Sequence, residues 1–224
     1  MLNFFIPTPK VYAAVSVLEA SGAAGSTAYT ANISDMFESV RKMEASGGTL
    51  GKSETFNSDW TPTSNNGLDC HLSKNTEWGT VALLMASSYG AGASNIAGTS
   101  TTETSSGNAT GIVGLANGNW EYTASLYNNP DSNYQTERKN ILSADGRYKD
   151  VYSDSMNTHP NVGGTSIAGD ALECRLWLNA SRANFIYGTG PVFLRGNYGV
   201  FGFDGSYGGY THYGRAVVVC GADF

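Results

Sequence analysis

The chain has 224 residues and a formal net charge of -6; 41% of its residues are hydrophobic and only 14% are charged, against roughly 25% in an ordinary soluble domain. That length supports one substantial core, or at most two small ones, and 13 scattered Lys and Arg without a basic run argue against a nucleic-acid footprint. Gly (28), Tyr (13) and abundant Ser, Thr and Asn take the place of charge, so the surface is expected to be polar but largely uncharged, as suits extracellular or particle-borne proteins better than a cytosolic enzyme.

The apolar start, Leu2 to Ile6, is too short to span a bilayer and is followed by Pro7 and Pro9. It lacks the charged n-region and longer h-region of a signal peptide, so export calls for a signal already removed or for release inside a virus particle. Val11, Ala13, Val15 and Val17 alternate with Tyr12, Ala14 and Ser16, the pattern of an early strand. A Gly/Ala/Ser turn follows. Next, Ile33, Met36, Phe37, Val40 and Met43 recur at helical spacing, with Asn32 or Ser34 as N-cap and Gly47-Gly48 as the stop. A polar connection over residues 49–68 carries Trp60 and Pro62. A second helix is expected to begin after Ser73 or Asn75, to place Trp78, Val81, Ala82 and Met85 on one face, and to end near Tyr89-Gly90.

From residue 91 onward helical periodicity is scarce, and short apolar runs alternate with turns. The last run, residues 216–219, is dominated by valines and reads as a central strand covered on both faces. Two helices followed by short strands and long loops predict an α+β domain. The whole chain, 1–224, reads as one domain, with residues 1–10 either part of it or an extended arm. Long loops on a compact scaffold are where binding residues concentrate.

Four strings carry a resemblance. Gly111-Ile112-Val113-Gly114-Leu115 leading to Trp120-Glu121-Tyr122 resembles the G-[LI]-Y-D-M-x-G-[NG]-x-W-E-[WY] hallmark of the formylglycine-generating-enzyme-like branch of the C-type-lectin fold, with Val113, Gly114 and Leu115 in place of Tyr-Asp-Met. Lys74-Asn75-Thr76-Glu77-Trp78-Gly79 is similar to the K-N-x-E-W-G helix start of bacterial and phage members. Arg195-Gly196 resembles the R-G-G segment, and Tyr213-Gly214-Arg215-Ala216-Val217-Val218 the closing G-F-R-V-V strand. The resemblance implies a C-type-lectin-like α+β domain with two helices, short antiparallel strands and long Gly/Ser/Asn-rich loops. Trp78, Trp120, Glu121, Arg195 and Arg215 read as its scaffold: tryptophans as core plates, arginines tying loop carbonyls or a buried carboxylate such as Glu121.

Catalysis finds little support in the residues. Enzymes of that branch hold copper with a cysteine pair, and Cys70, Cys174 and Cys220 show no such spacing; three buried thiols outweigh one bridge with a thiol left over. Cys70-His71 could pair a nucleophile with a base, but neighbours in sequence usually point apart. His71, His159 and His212 form no zinc pattern. The resemblance leaves calcium open, with Glu121 and loop carbonyls as ligands. The sequons at Asn32, Asn108 and Asn179 are chance in so Asn-rich a chain.

The segment between the two arginines, residues 197–213, lacks Lys and Glu and is packed with Tyr, Gly, Ser, Asn, Asp and His. This is the alphabet of antibody-like paratopes, where Tyr gives broad contact at low entropic cost. Asn197, Tyr198, Asp204, Ser206, Tyr207, Tyr210, His212 and Tyr213 are therefore the expected ligand-binding residues. The resemblance places them where retroelement-diversified proteins carry their variable region. It implies a non-catalytic ligand- or receptor-binding protein of a virion or cell surface, with a host-cell protein or glycan and other virion proteins as partners, no membrane insertion, and a homo-oligomeric state such as a trimer. A virion decoration or fibre subunit is the alternative, and an oxidase of the formylglycine-generating type a more distant one.

Overall fold

The computed structural model describes residues 12–13, 30–45, 55–63, 68–88, 119–127, 136–152, 190–197 and 203–220. The expected early strand falls within them only as β1 (Tyr12–Ala13); the expected arm, the Gly47-Gly48 and Tyr89-Gly90 stops and Tyr198 lie outside.

Helix α1 (Ile33–Arg41) forms where its periodicity predicts. The Asn32 side chain accepts a hydrogen bond from the Asp35 amide at 2.9 Å, satisfying one of the orphan donors of the first turn. That amide is thereby committed to the cap. Ile33, Met36, Phe37 and Val40 are buried along one stripe. The helix ends at Arg41 and tightens into a 3-10 turn, Lys42–Glu44, rather than running on toward the glycines, because Arg41 and Glu44 fold inward onto each other.

Helix α2 (Asn75–Ala86) buries Trp78 and Ala82, while Val81 is half-buried and Leu83 faces water. Its N-terminus is capped mostly from afar. Glu77 accepts from the Lys74 amide, Ser125 from the Asn75 amide at 2.7 Å, and Asp150 from the Thr76 amide at 2.8 Å. A carboxylate at this end also favours the helix dipole.

Two sheets follow. In the first, β8 (Ala216–Cys220) lies between β1 and β2 (Leu68–Leu72), antiparallel to both, so the valine-rich run is central as expected, but Val217 and Val219 are half-buried and one face is not fully covered. The second is built on β3 (Glu121–Tyr127), which pairs antiparallel with β5 (Val192–Arg195); β5 in turn pairs with β6 (Phe203–Ser206). Along its other edge β3 takes β7 (Tyr213–Gly214) and β4 (Asp150–Tyr152), both parallel to it, so the short strands are not all antiparallel as expected. A third, short helix, α3 (Lys139–Ser143), sends Ile141 into the core. The architecture is α+β.

Because side chains alternate across a strand, β3 presents Tyr122, Ala124 and Leu126 to the apolar core shared with α1, Val192 and Leu194, and turns Glu121, Thr123 and Ser125 to its other face. That second face is buried too, and its polar groups are matched to partners. The chain steps from one sheet to the other at Arg215, whose carbonyl accepts from the Ser73 amide while the Ser73 carbonyl accepts from Ala124, both at 2.8 Å.

Candidate recognition loop and its buried support

Residues 111–118 of the first string lie outside the described residues; its Glu121 meets Trp78, Arg195 and Arg215 of the other three on that polar face. The Arg215 guanidinium grips Glu121 through both carboxylate oxygens, at 2.8 and 3.1 Å, and stands 5.9 Å from the Trp78 ring. Glu121 lies opposite Arg195 in the sheet, and Arg195, fully buried, donates from Nε to Asn75 at 2.7 Å. Trp120 is half-buried against the core, and its carbonyl accepts from the Tyr213 amide. Trp78, Glu121, Arg195 and Arg215 are buried, and Trp120 packs half-buried against the core. A calcium ion at Glu121 would have to displace Arg215, and among the described residues no group of three His, Cys, Asp or Glu side chains is gathered for a metal.

A second buried polar assembly joins α1, β2 and α2. Arg41 donates to Asp69 at 3.1 Å, to the Cys70 carbonyl at 2.6 Å, to Glu44 at 2.7 Å and to the Trp60 carbonyl at 3.0 Å, with the Tyr148 ring 3.9 Å from its guanidinium carbon. His71, 3% exposed, is held between Asp69 at 3.0 Å and Glu77 at 2.9 Å. Burial alone would push its pKa down, but the hydrogen bonds and charges of the two carboxylates override this and raise it to about 9. The imidazole is thus a cation at neutral pH and has no lone pair for a base. In Asp69 and Glu77 the opposite balance holds: burial raises both, and the bonds and charges of His71 and nearby cations win and lower them.

Cys70 is buried and unbridged, its thiol pushed up to about 12 by burial and by Glu44. It alternates with His71 along β2, so the two side chains leave the strand on opposite faces. The Cys70-His71 pair has neither the geometry nor the ionisation a nucleophile needs.

The loop between β6 and β7 is bound chiefly through its main chain. The Gly208 carbonyl accepts from the Ile33 amide at 3.0 Å, and the Gly208 amide donates to Ser206 Oγ at 3.1 Å. His212 and Ala31 exchange both backbone hydrogen bonds at 3.1 Å. From below, the Tyr122 hydroxyl donates to the Tyr210 carbonyl at 2.8 Å, and since it has one proton, Ser206 Oγ donates to it across 3.2 Å. Burial pushes the Tyr122 phenol up, so it stays a donor. Gly208 adopts φ 98°, and a Cβ there would come within 2.7 Å of Ile33 Cγ2. The bare Gly209 lets the Tyr207 ring fold over it.

On this frame the expected binding residues separate. Tyr210 is 62% exposed. Tyr207 stands edge-on to it with ring centroids 4.7 Å apart, and His212 lies 6.3 Å from Tyr210 and 5.0 Å from Tyr122. Tyr207, His212, Tyr213, Asp204 and Asn197 are half-buried. Ser206 is buried and serves the frame rather than the surface. Tyr122 is the supporting residue that sequence reasoning missed; its signal was its place in the Trp-Glu-Tyr string, which was read only as a fold marker.

Compared with known proteins, the chain matches no family model, no curated protein and no solved structure. No helix among the described residues is long and apolar enough to cross a membrane.

Proposed function

We propose that this chain is a non-catalytic ligand- or receptor-binding protein of C-type-lectin-like fold, displayed on a phage particle or bacterial surface, that meets its ligand with the Tyr207–Tyr213 loop. The observation that carries the reading is Tyr210, a large aromatic side chain standing mostly in water on a loop whose main chain is hydrogen-bonded on several sides. Exposing such a ring costs apolar surface, and holding its loop still costs entropy. Both costs are recovered when a partner covers a surface already ordered for it. The convergence of Trp78, Glu121, Arg195 and Arg215 in one buried cluster supports the lectin-like reading, because distant strings of one family pattern are expected to meet in its scaffold.

Flow cytometry of labelled protein on a panel of bacterial cells tests it. The Tyr207→Ala/Tyr210→Ala variant is expected to lose at least tenfold in binding, the effect of removing an interface hot spot of about 2 kcal/mol, while keeping its melting temperature. Unfolding of that variant would instead place the two rings in the core.

A second reading, a virion decoration or fibre subunit, draws on Leu83 and Val151, apolar side chains 52% and 50% exposed on α2 and β4. Mass photometry that finds a stable oligomer which Leu83→Glu/Val151→Glu dissociates, together with no cell binding, would favour it.

A further inference from the structure

We propose that the surface formed by Tyr207, Tyr210 and His212 beside Asp204 recognises a cationic side chain, an arginine or lysine carried by a partner protein. This rests on the loop being the binding surface and adds the chemistry that it reads.

The argument begins with charge. Residues 196–214 contain no Lys, Arg or Glu and a single Asp, Asp204, on a chain with net charge -6. Asp35, exposed in the first turn of α1, follows by two residues the Ile33 amide that bonds the loop. Arg138 packs its aliphatic stem under Gly208 and is fully buried, so its charge is not offered to the surface. The loop itself therefore offers a partner one carboxylate, half-buried Asp204, and no Lys or Arg.

The aromatic geometry points the same way. The rings of Tyr207 and Tyr210 are inclined at 70°, so one sets its edge against the other. The π face of an exposed tyrosine carries negative potential and attracts guanidinium or ammonium groups, most strongly where water is partly excluded. Guanidinium also stacks on such a face, which favours arginine over lysine.

His212 completes the arrangement. The charged or titratable groups facing it are Asp204 from β6, Tyr122 from β3, and Tyr210. Burial lowers its pKa, with Asp204 opposing, so at neutral pH the ring adds no positive charge. Acidification protonates it within the surface, where it repels an incoming cation. Binding is expected to weaken as acidification carries the pH below the ordinary histidine range.

The test is NMR of the tyrosine rings titrated with N-acetyl-arginine amide, N-acetyl-leucine amide and N-acetyl-glutamate amide at matched ionic strength. The arginine probe is expected to shift Tyr207 and Tyr210 with an affinity about fivefold or more above that of leucine. Glutamate should produce no shift. Tyr210→Phe should keep the response, Tyr210→Ala should abolish it, and His212→Asn should remove its loss in acid. Equal titration by leucine and arginine, or no ring shift with arginine, overturns the proposal. Cell binding is the separate arm: binding that requires Tyr210 but resists excess arginine defeats the cation reading while leaving the loop as the binding surface.

Discussion

Around Arg41 and His71 the side chains bind one another and little of them reaches water; around Tyr210 the main chain is bound and the ring stands outside. Both regions are rich in hydrogen bonds, and both join elements distant in sequence. In the first, charged groups from α1 and the turn after it, β2 and α2 neutralise each other in a partly buried chain running from Glu44 through Arg41, Asp69 and His71 to Glu77. In the second, backbone groups of residues 208–212 are held by Ile33, Ala31 and Tyr122. A site that must present chemistry outward fixes its backbone and keeps its side chains for the partner; a region that must hold the fold does the reverse. Substitutions should therefore act mainly on stability in the first region and mainly on binding in the second.

The largest effect is expected at Arg41. Arg41→Met removes the cation from buried Glu44, leaves half-buried Asp69 with His71 alone, and takes the donor from two carbonyls, a loss of about 3–5 kcal/mol by urea denaturation. A near-neutral result would mean that water already enters the cluster.

Next comes pH. Below about pH 6.5, the ordinary histidine value, His71 is protonated in folded and unfolded chains alike, so its contribution is whole. As the pH rises toward its folded value of about 9, the unfolded chain releases the proton while the folded one keeps it, and stability should fall by up to about 3 kcal/mol. On the acid side, the depressed Asp69 and Glu77 contribute above their unfolded values, and that contribution is lost as pH falls through the folded ones. Denaturation of His71→Gln should lack the alkaline limb. A wild type equally stable at about pH 6 and about pH 9 would contradict the His71 assignment.

In the loop the effects on stability shrink. Gly208→Ala forces a side chain into a positive φ and against Ile33, costing about 1–3 kcal/mol. It should disorder the proposed binding surface at the same time. Tyr122→Phe keeps the ring and removes one hydroxyl, for about 1 kcal/mol, with binding reduced because the Tyr210 carbonyl loses its anchor. If this variant binds as well as wild type, the anchor is not what orders the loop.

Much of the scaffold was legible in the sequence for local reasons. The stripe from Ile33 to Val40, its Asn32 cap and the central valine run each state their structure within a few residues. β2 was not legible, because Asp69 and His71 alternate with apolar neighbours only to enter an ion network whose other members lie on α1 and α2. The caps of α2 come from Ser125 and Asp150, many residues away, and α3 is too short to show a period. Trp60 sits at φ 64°, a conformation rare for a bulky residue, in a hairpin turn whose carbonyl serves Arg41; nothing in its neighbours announces this. Within the loop, composition pointed to the segment, but only the fold separates outward Tyr210 from inward Ser206.

Hydrogen exchange of the unliganded protein tests the central claim most directly. The amides of Gly208 and His212 should be protected well beyond an unstructured chain, with protection at Gly208 reduced in Tyr122→Phe and unchanged in Tyr210→Ala. Exchange of both amides at the rate of an unfolded peptide would contradict the account, for the loop would then have no order to offer a partner.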